Sequence, residues 1–383
     1  MTAIICLAVV ANRERLFIVE PPPTKQNTYA LGIISPVTGD YAEWGQYFNE
    51  GVKIALSEIA SRNDKFVPTP IFEDSKSTVK GALASLNSLL NRGDERPQVV
   101  LLMDSEAVKA SAPVATEKNC LLIATLAGGP DLFALGQLGF RWYQNADSIG
   151  TALARHATSS GYQKLAILNE NHPHSIAVKD SLVTNFQGGN RSVTLTETFD
   201  NKSASTRDQA AKILATSPDC IAITGTGGPA YVSFVRSVRE LGWNGPILCD
   251  DAMNLPNMQN DVGQAGNGIV FTASPFNPSE PRTDRGKKFV VAFENEFGRK
   301  PTEASAYTYE LTMLVHELNN EGYRTSKDIA EEIKHIKDRK TVFGDISYES
   351  GYEISVPMVL FKVEHTNGEM RIIEVVGEHA NVP

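Results

Sequence analysis

"GIISPVTGDYAEWGQYFNEGVKIALSEI", Gly32–Ile59, decides how the rest of the chain is read. The apolar run "YALGII" (29–34) stops at Ser35, small and turn-forming residues follow, and an amphipathic stretch begins. Phe48, Val52, Ala55 and Ile59 recur at helical spacing and form one apolar stripe, which predicts a helix over 46–60. Thr38, Gly39 and Asp40 supply turn chemistry before it. A strand that passes through a short turn into a helix is the unit of a parallel sheet. Its loop lies at the carboxyl edge, where helix N-termini point outward. Tyr41 and Trp44 suit a pocket wall at that edge, because aromatic rings give large contact area with few rotors. Packing on their own helix is the plainer alternative.

The same alternation continues beyond residue 60. Short apolar runs fall at 68–74, 98–104, 120–126, 163–169, 193–199, 219–225, 245–250 and 268–274. Amphipathic stretches separate them at 79–91, 107–117, 149–159, 176–186, 205–215, 230–241 and 287–297. Strands alternating with helices, with continuous apolar cores, give parallel sheets covered on both faces. The pattern restarts after about residue 146, beyond "FRWYQNADS". The expected fold is therefore α/β, with two doubly wound parallel-sheet lobes. The tail 344–376 is β-rich, with a hairpin turn at Thr366–Gly368, and is expected to add edge strands to one lobe.

The composition narrows the function. The net charge is −9 and no basic stripe occurs, which argues against nucleic acid as a partner. No stretch after the N-terminus approaches the ~20 apolar residues that span a bilayer. The four cysteines (Cys6, Cys120, Cys220, Cys249) fit no metal spacing. Cys220 and Cys249 fall at opposite ends of neighbouring strands, which at about 3.3 Å per residue puts them beyond disulfide reach. At the N-terminus, "AIICLAVVA" (3–11) is a short apolar core ending in small residues, as before a signal cleavage site, but no basic segment precedes it. It is read either as a remnant signal or as no signal at all. In the second case the protein is cytoplasmic. Ile5 stands where lipidation of Cys6 would want a small residue. Pro21–Pro23 mark a linker up to residue 27.

The strand ends carry the candidate chemistry. Both series end in small or polar residues: Ser105, Gly128 and Gly129 in the first half, His172, His174, Gly227, Gly228, Asp250 and Asp251 in the second. Open α/β sheets bind ligands at their carboxyl edges. Two such edges facing each other make a cleft.

Over Tyr29–Val376 the chain resembles the type I periplasmic binding proteins, in the leucine/isoleucine/valine-binding branch that serves ABC importers. The opening stretch carries the resemblance together with "FEDSKS", "ASAPVATEKNCLLIATLAGGPDL", "VRSVRELGWNGPILCDDA", "GNGIVFTASPFNP", "FGRKPTEASAYTYE" and "TVFGDISYESGY", in that order. The resemblance implies two lobes joined by three crossover strands, near 142–146, 274–277 and 341–348. One lobe would be 28–144 with 278–342, the other 145–277 with 343–383. It also implies a site. Trp44, with Tyr41 beside it, matches the aromatic of the first loop. Ser105 matches the serine that holds the ligand carboxylate, and Leu126 and Gly128 match backbone groups that help it. Gly128 stands where the family has a threonine. His174 and Gly227 stand where it has two aromatics, which would leave room for a ligand bulkier than leucine. Asp251 matches the acid that receives an ammonium group, usually a longer glutamate. The implied function is non-enzymatic and needs no cofactor or metal. A monomer in the periplasm would capture an amino acid or related carboxylate and deliver it to an ABC permease.

Rival readings rest on single motifs. "GTGGPA" (225–230) fits the dinucleotide fingerprint, with Asp250 downstream, which would make an NAD-dependent enzyme. It sits in the second lobe instead of opening a domain, and no catalytic set accompanies it. His172 and His174 could ligate a metal with Asp251, against the plainer reading of a polar turn around Pro173. Glu73 and Asp74 could do acid–base work or simply end a strand. Ser105 lacks the G-x-S-x-G elbow of a nucleophile. A cytosolic ligand sensor on the same fold is the other alternative.

Overall fold

The computed structural model describes residues 27–375 apart from 204 and 367–368. The expected signal segment, Cys6 and the Pro-rich linker up to residue 26 fall outside the described residues.

The chain runs β1 (Asn27–Ser35), α1 (Ala42–Ala60), β2 (Phe66–Asp74), α2 (Val79–Leu90), β3 (Val99–Leu102), α3 (Ser105–Glu117), β4 (Leu121–Ala124) and β5 (Gly139–Arg141). A second series follows: α4 (Ala146–Ser159), β6 (Lys164–Glu170), α5 (Pro173–Phe186), β7 (Ser192–Phe199), α6 (Arg207–Ala215), β8 (Cys220–Thr224), α7 (Pro229–Glu240), β9 (Ile247–Cys249), α8 (Pro256–Val262) and β10 (Ile269–Ala273). Then come α9 (Asp284–Phe297), α10 (Glu303–Glu321), α11 (Ser326–Ile333), β11 (Arg339–Thr341), β12 (Gly344–Ser350), β13 (Glu353–Ser355), β14 (Val359–Thr366) and β15 (Glu369–Glu374).

Two sheets result. The near sheet has the order β11-β12-β13-β5-β4-β3-β1-β2, and the far sheet β15-β14-β10-β9-β8-β6-β7. The first five strands of each series are parallel and wind outward in both directions from their first strand. The strand order therefore reverses between β1 and β3 in one lobe and between β6 and β8 in the other. Crevices at such reversals are where open α/β sheets take ligands. Each sheet is covered on both faces by helices, so four apolar clusters form, two to each sheet. Cys120, Cys220 and Cys249 are buried free thiols.

Several helices begin earlier than their apolar stripe predicts, α1 at Ala42 instead of 46 and α5 at Pro173 instead of 176. The first turns are polar or aromatic, so periodicity does not reveal them. Helix α10 escaped the periodic pattern because it is buried nearly all round, a core helix without a polar stripe. Its Tyr307 packs on Tyr143 and Phe343 with ring centroids 4.9 and 4.4 Å apart, and Tyr309 on Phe289 at 4.6 Å. Both tyrosines are core packing.

The third connection differs from the expectation of a crossing at 341–348 with residues 343–383 in the far lobe. β12 and β13 belong to the near sheet, and the chain enters the far sheet only with β14 at Val359. Two contacts hold 344–355 in the near lobe. Ile346 and Ile354 are buried in its core, and Glu353 pairs with Arg141 of β5, the neighbouring strand. The tail thus supplies edge strands to both lobes.

Candidate functional site

The near wall of the cleft is built on turns tied down by backbone hydrogen bonds. After β1, the Asp74 carboxylate accepts from the Val37 and Thr38 N–H groups at 2.9 and 3.2 Å and from the Thr38 hydroxyl at 2.7 Å. Glu73 accepts from Ser88 Oγ at 2.9 Å. This carboxylate pair is structural. Gly45, in the first turn of α1, lets the helix start beneath the strand end, since a Cβ there would lie 1.8 Å from the Pro36 carbonyl oxygen. That start places Tyr41 just before α1 and Trp44 on its first turn, both facing the cleft.

After β3, Asp104 has φ +79° and caps α3 through Oδ1, which accepts from the Ala107 N–H at 2.8 Å. Burial pushes its carboxyl pKa up. Ser105 Oγ accepts from the Gly129 N–H at 2.9 Å and so joins the loops after β3 and β4. Leu126 on the second loop has φ +52°. Two non-glycine residues in the left-handed region border one cleft, a strain that folds tolerate where geometry at a site is fixed.

The far wall is made of ionisable side chains. Asp250 and Asp251 follow β9. Asp250 is fully buried and accepts from the Gly225 N–H at 2.6 Å. Burial and then the neighbouring Asp251 charge push its pKa well up. Asp251 takes a hydrogen bond from the Tyr143 hydroxyl, and its Oδ1 lies 3.8 Å from His174 Nε2. Burial works to raise the Asp251 pKa, but the His174 imidazole and the Tyr143 hydroxyl outweigh it and hold it below the ordinary carboxylate range. Burial, helped by His174, lowers His172 to about 4. Glu170, raised by burial, accepts from the Thr226 N–H at 2.5 Å.

The two walls meet. Lys202 pairs with Asp40 at 3.0 Å, Asn257 donates to Glu43 at 2.8 Å, and the rings of Tyr41 and His172 meet edge to face at 6.3 Å. Between the walls lies a cavity of about 80 Å³. At roughly 10–15 Å³ of such space per water, that is room for a small organic molecule.

Tyr41, Trp44, Ser105 and Leu126 line this cavity, as do Gly128, His174 and Asp251. Gly227 does not. It turns toward Met258 and Leu255, and the wall at that level is Gly225 and Thr226. At Gly128 the missing side chain leaves no extra room. A Cβ on Gly128 would come 2.5 Å from His174 Cε1, so the imidazole fills the space that the missing side chain leaves. Tyr143, Met103, Asp104 and Ala252 line the cavity too and were not singled out in the sequence. Tyr143 lies just beyond β5 on the first connection between the lobes, and an aromatic on a crossing segment beside a cleft is the signal that could have found it.

The dinucleotide motif is spent on internal contacts. The Thr226 amide meets the Glu170 carboxylate, a negative charge where a pyrophosphate would need to sit, and the Gly228 N–H meets Met258 Sδ at 3.1 Å. Among the described residues no group of three His, Cys, Asp or Glu side chains is placed to hold a metal.

Two lobes of one doubly wound design, meeting over a small cavity at their paired strand-order reversals, define a cleft-type binding protein. The sequence pattern described as periplasmic binding protein matches residues 28–369. The chain belongs to that family, in its type I, leucine/isoleucine/valine-binding branch. It is 22% identical over 342 residues to "Leu/Ile/Val-binding protein homolog 2" of Brucella abortus (strain 2308), spanning 87% of this chain and 89% of that one. Among solved structures, it superposes with a TM-score of 0.80 on the branched-chain amino acid transporter substrate-binding protein LivJ of Streptococcus pneumoniae, in complex with isoleucine, at 19% identity, covering 91% of this chain and 99% of that one. A solute-binding protein of an ABC transporter from Rhodopseudomonas palustris BisB5, in complex with 3,4-dihydroxybenzoic acid, also gives 0.80 at 19% identity, covering 93% and 97%. At these identities the likeness shows the fold.

Proposed function

We propose that the chain is the solute receptor of an ABC importer, working outside the cytoplasm and capturing a small carboxylate in the interlobe cleft. The observation that carries this reading is the meeting of both strand-order reversals at one cavity between the lobes, lined by Trp44, Ser105 and Asp251. Ser105 Oγ and the Gly128 N–H hold the carboxylate, with helix N-termini adding ~0.3–1 kcal/mol each where exposed. Trp44 and Tyr41 cover the body of the ligand. Closure brings the far wall onto it and expels water, and the ligand drives closure because it binds the closed form better. A micromolar dissociation constant corresponds to about 8 kcal/mol, within reach of a few charge-assisted hydrogen bonds and aromatic burial. Function as a solute receptor requires no catalytic group.

A thermal-shift screen of amino acids, aromatic acids, 2-oxo acids and amides tests the reading. A true ligand at 100 times its dissociation constant adds about 2.7 kcal/mol of stability. A screen in which only amides or nucleotides stabilise the protein would sink the carboxylate reading. N-terminal sequencing of the protein from the extracytoplasmic fraction of its host tests the location, and an intact chain found only in cytosol would favour a sensor.

A further inference from the structure

His174 stands where a side chain at position 128 would be. An ideal Cβ on Gly128 would lie 2.5 Å from its Cε1 and 2.8 Å from its Nδ1, closer than atoms pack. The imidazole thus reaches from the first turn of far-lobe helix α5 across the cleft to the near-lobe loop that carries the Gly129 amide and Ser105 contact. Its Nε2 faces Asp251 Oδ1, while its Nδ1 is buried without a hydrogen-bond partner. Asp251 is met on its other oxygen by the Tyr143 hydroxyl. The buried acid that would be expected to wait for a ligand's ammonium group therefore already has a protein group at each oxygen. A ring nitrogen is thus left unpaired beside the carboxylate seat, and Nδ1 of His172 on the same cavity is unpaired as well. Among the described residues neither Lys nor Arg lines the cavity.

Resting on the solute-receptor reading, we propose that His174 receives the ligand's carboxylate above Gly128, and that the site is built for carboxylic acids that lack an α-ammonium group. An imidazole whose Nδ1 donates to the ligand while its protonated Nε2 faces Asp251 at 3.8 Å carries both protons and a positive charge. The ring then neutralises Asp251 from within the protein. An ammonium group brought to the same place would meet a like charge at short range and would have to displace His174 or Tyr143 from Asp251. Binding between the lobes through His174 also ties recognition of the acid to closure, since the ring and the Ser105 seat come from opposite lobes.

The test is calorimetry with matched probes: 4-methyl-2-oxopentanoate against L-leucine, phenylpyruvate against L-phenylalanine, and 4-hydroxybenzoate. The wild type should bind at least one 2-oxo acid ten times or more tighter than its amino acid. His174→Phe, which keeps the ring, and His174→Gln, which keeps one hydrogen bond without the charge, should each lose tenfold or more for that acid while melting near the wild type. Gly128→Thr should abolish binding by collision with the ring, and adding His174→Ala should restore space and binding while the preference for the 2-oxo acid disappears. An amino acid binding tighter than its 2-oxo partner, or unchanged acid affinity in both His174 variants, overturns the inference and leaves the receptor reading intact. If the wild type binds no probe of either kind, the carboxylate reading falls and this inference falls with it.

Discussion

The two walls of the cleft are built on the same strand plan and are held in different ways. The near wall is a seat of backbone and caps. Asp104 caps α3, Ser105 ties two loops together, and Arg141, only 3% exposed, donates from Nη1 to the Gly129 carbonyl at 2.5 Å while pairing with Glu353. The far wall is a set of ionisable side chains whose charges are set by burial and then by one another: Asp250 pushed up, Asp251 held down, Glu170 pushed up and His172 lowered to about 4. The contrast assigns different work to each. Damage to the near wall should cost folding stability and weaken all ligands alike, and damage to the far wall should alter the choice of ligand and the response to pH.

The largest expected effect comes from breaking the near wall. Arg141→Leu strands the Glu353 charge and the Gly129 carbonyl, and breaking a buried pair from one side costs ~3–5 kcal/mol. Urea unfolding should show this loss. Combining it with Glu353→Gln should cost less than the two changes added together. A loss under 1 kcal/mol would mean that the loop after β4 is held by other contacts.

Behind the far wall, Glu303 at the start of α10 accepts from the Ser274 N–H at 2.7 Å and from the Asn254 side chain, bridging the second connection to the residues after Asp251. Burial, with the Asp251 charge adding to it, pushes its pKa to about 7 from an ordinary 4.5, against these hydrogen bonds. Between those pH values the unfolded chain releases this proton and the folded one keeps it. Stability from this group therefore falls as pH rises across the window, by up to about 3 kcal/mol at ~1.4 kcal/mol per pKa unit. Glu303→Gln should flatten the melting profile there. An unchanged slope would place the proton elsewhere in the far wall.

Tyr143→Phe removes a hydroxyl donor from Asp251, which should cost ~1–3 kcal/mol, divided between stability and ligand affinity. The depressed pKa of Asp251 gives stability that is present above the ordinary carboxylate range and is lost as pH falls through its folded value. The difference between variant and wild type should therefore be full at neutral pH and vanish in acid. A cost that persists unchanged at low pH would trace to packing against Tyr307 instead.

The smallest effect tests the seat itself. Ser105→Ala leaves the Gly129 N–H without its acceptor and should cost ~0.5–1.5 kcal/mol. It should weaken every carboxylate alike and leave their order unchanged, as read by calorimetry with a set of acids. A change of order would move discrimination from the far wall to the near one.

The strand-and-helix alternation and the doubling of the lobes were legible because apolar periodicity is local. Strands β1 to β4 and β6 to β10 fall on the apolar runs, apart from their ends. Trp44 aside, the near wall was legible for a related reason: Ser105, Leu126 and Gly128 closely follow strands, so strand ends alone carry them to the carboxyl edge. Legibility failed where a contact joined distant segments. Tyr143 meets Asp251 across 108 residues of chain, and Glu353 meets Arg141 across 212. Gly227 and Thr226 are neighbours in a glycine-rich turn, and only the folded backbone, with φ +93° at Gly227, decides which of them faces the cavity.

By itself the sequence determined the class of fold, the two lobes and the strand ends that make the cleft, since each follows from patterns within some twenty residues. Tertiary structure alone decided that β12 and β13 stay in the near sheet, that His174 fills the space above Gly128, and that Asp251 already has partners at both oxygens. The physical reason is range. Periodicity and turn chemistry act between neighbours in the chain, whereas burial, charge and steric exclusion at the site act between side chains that only the closed arrangement of both lobes brings within a few ångströms.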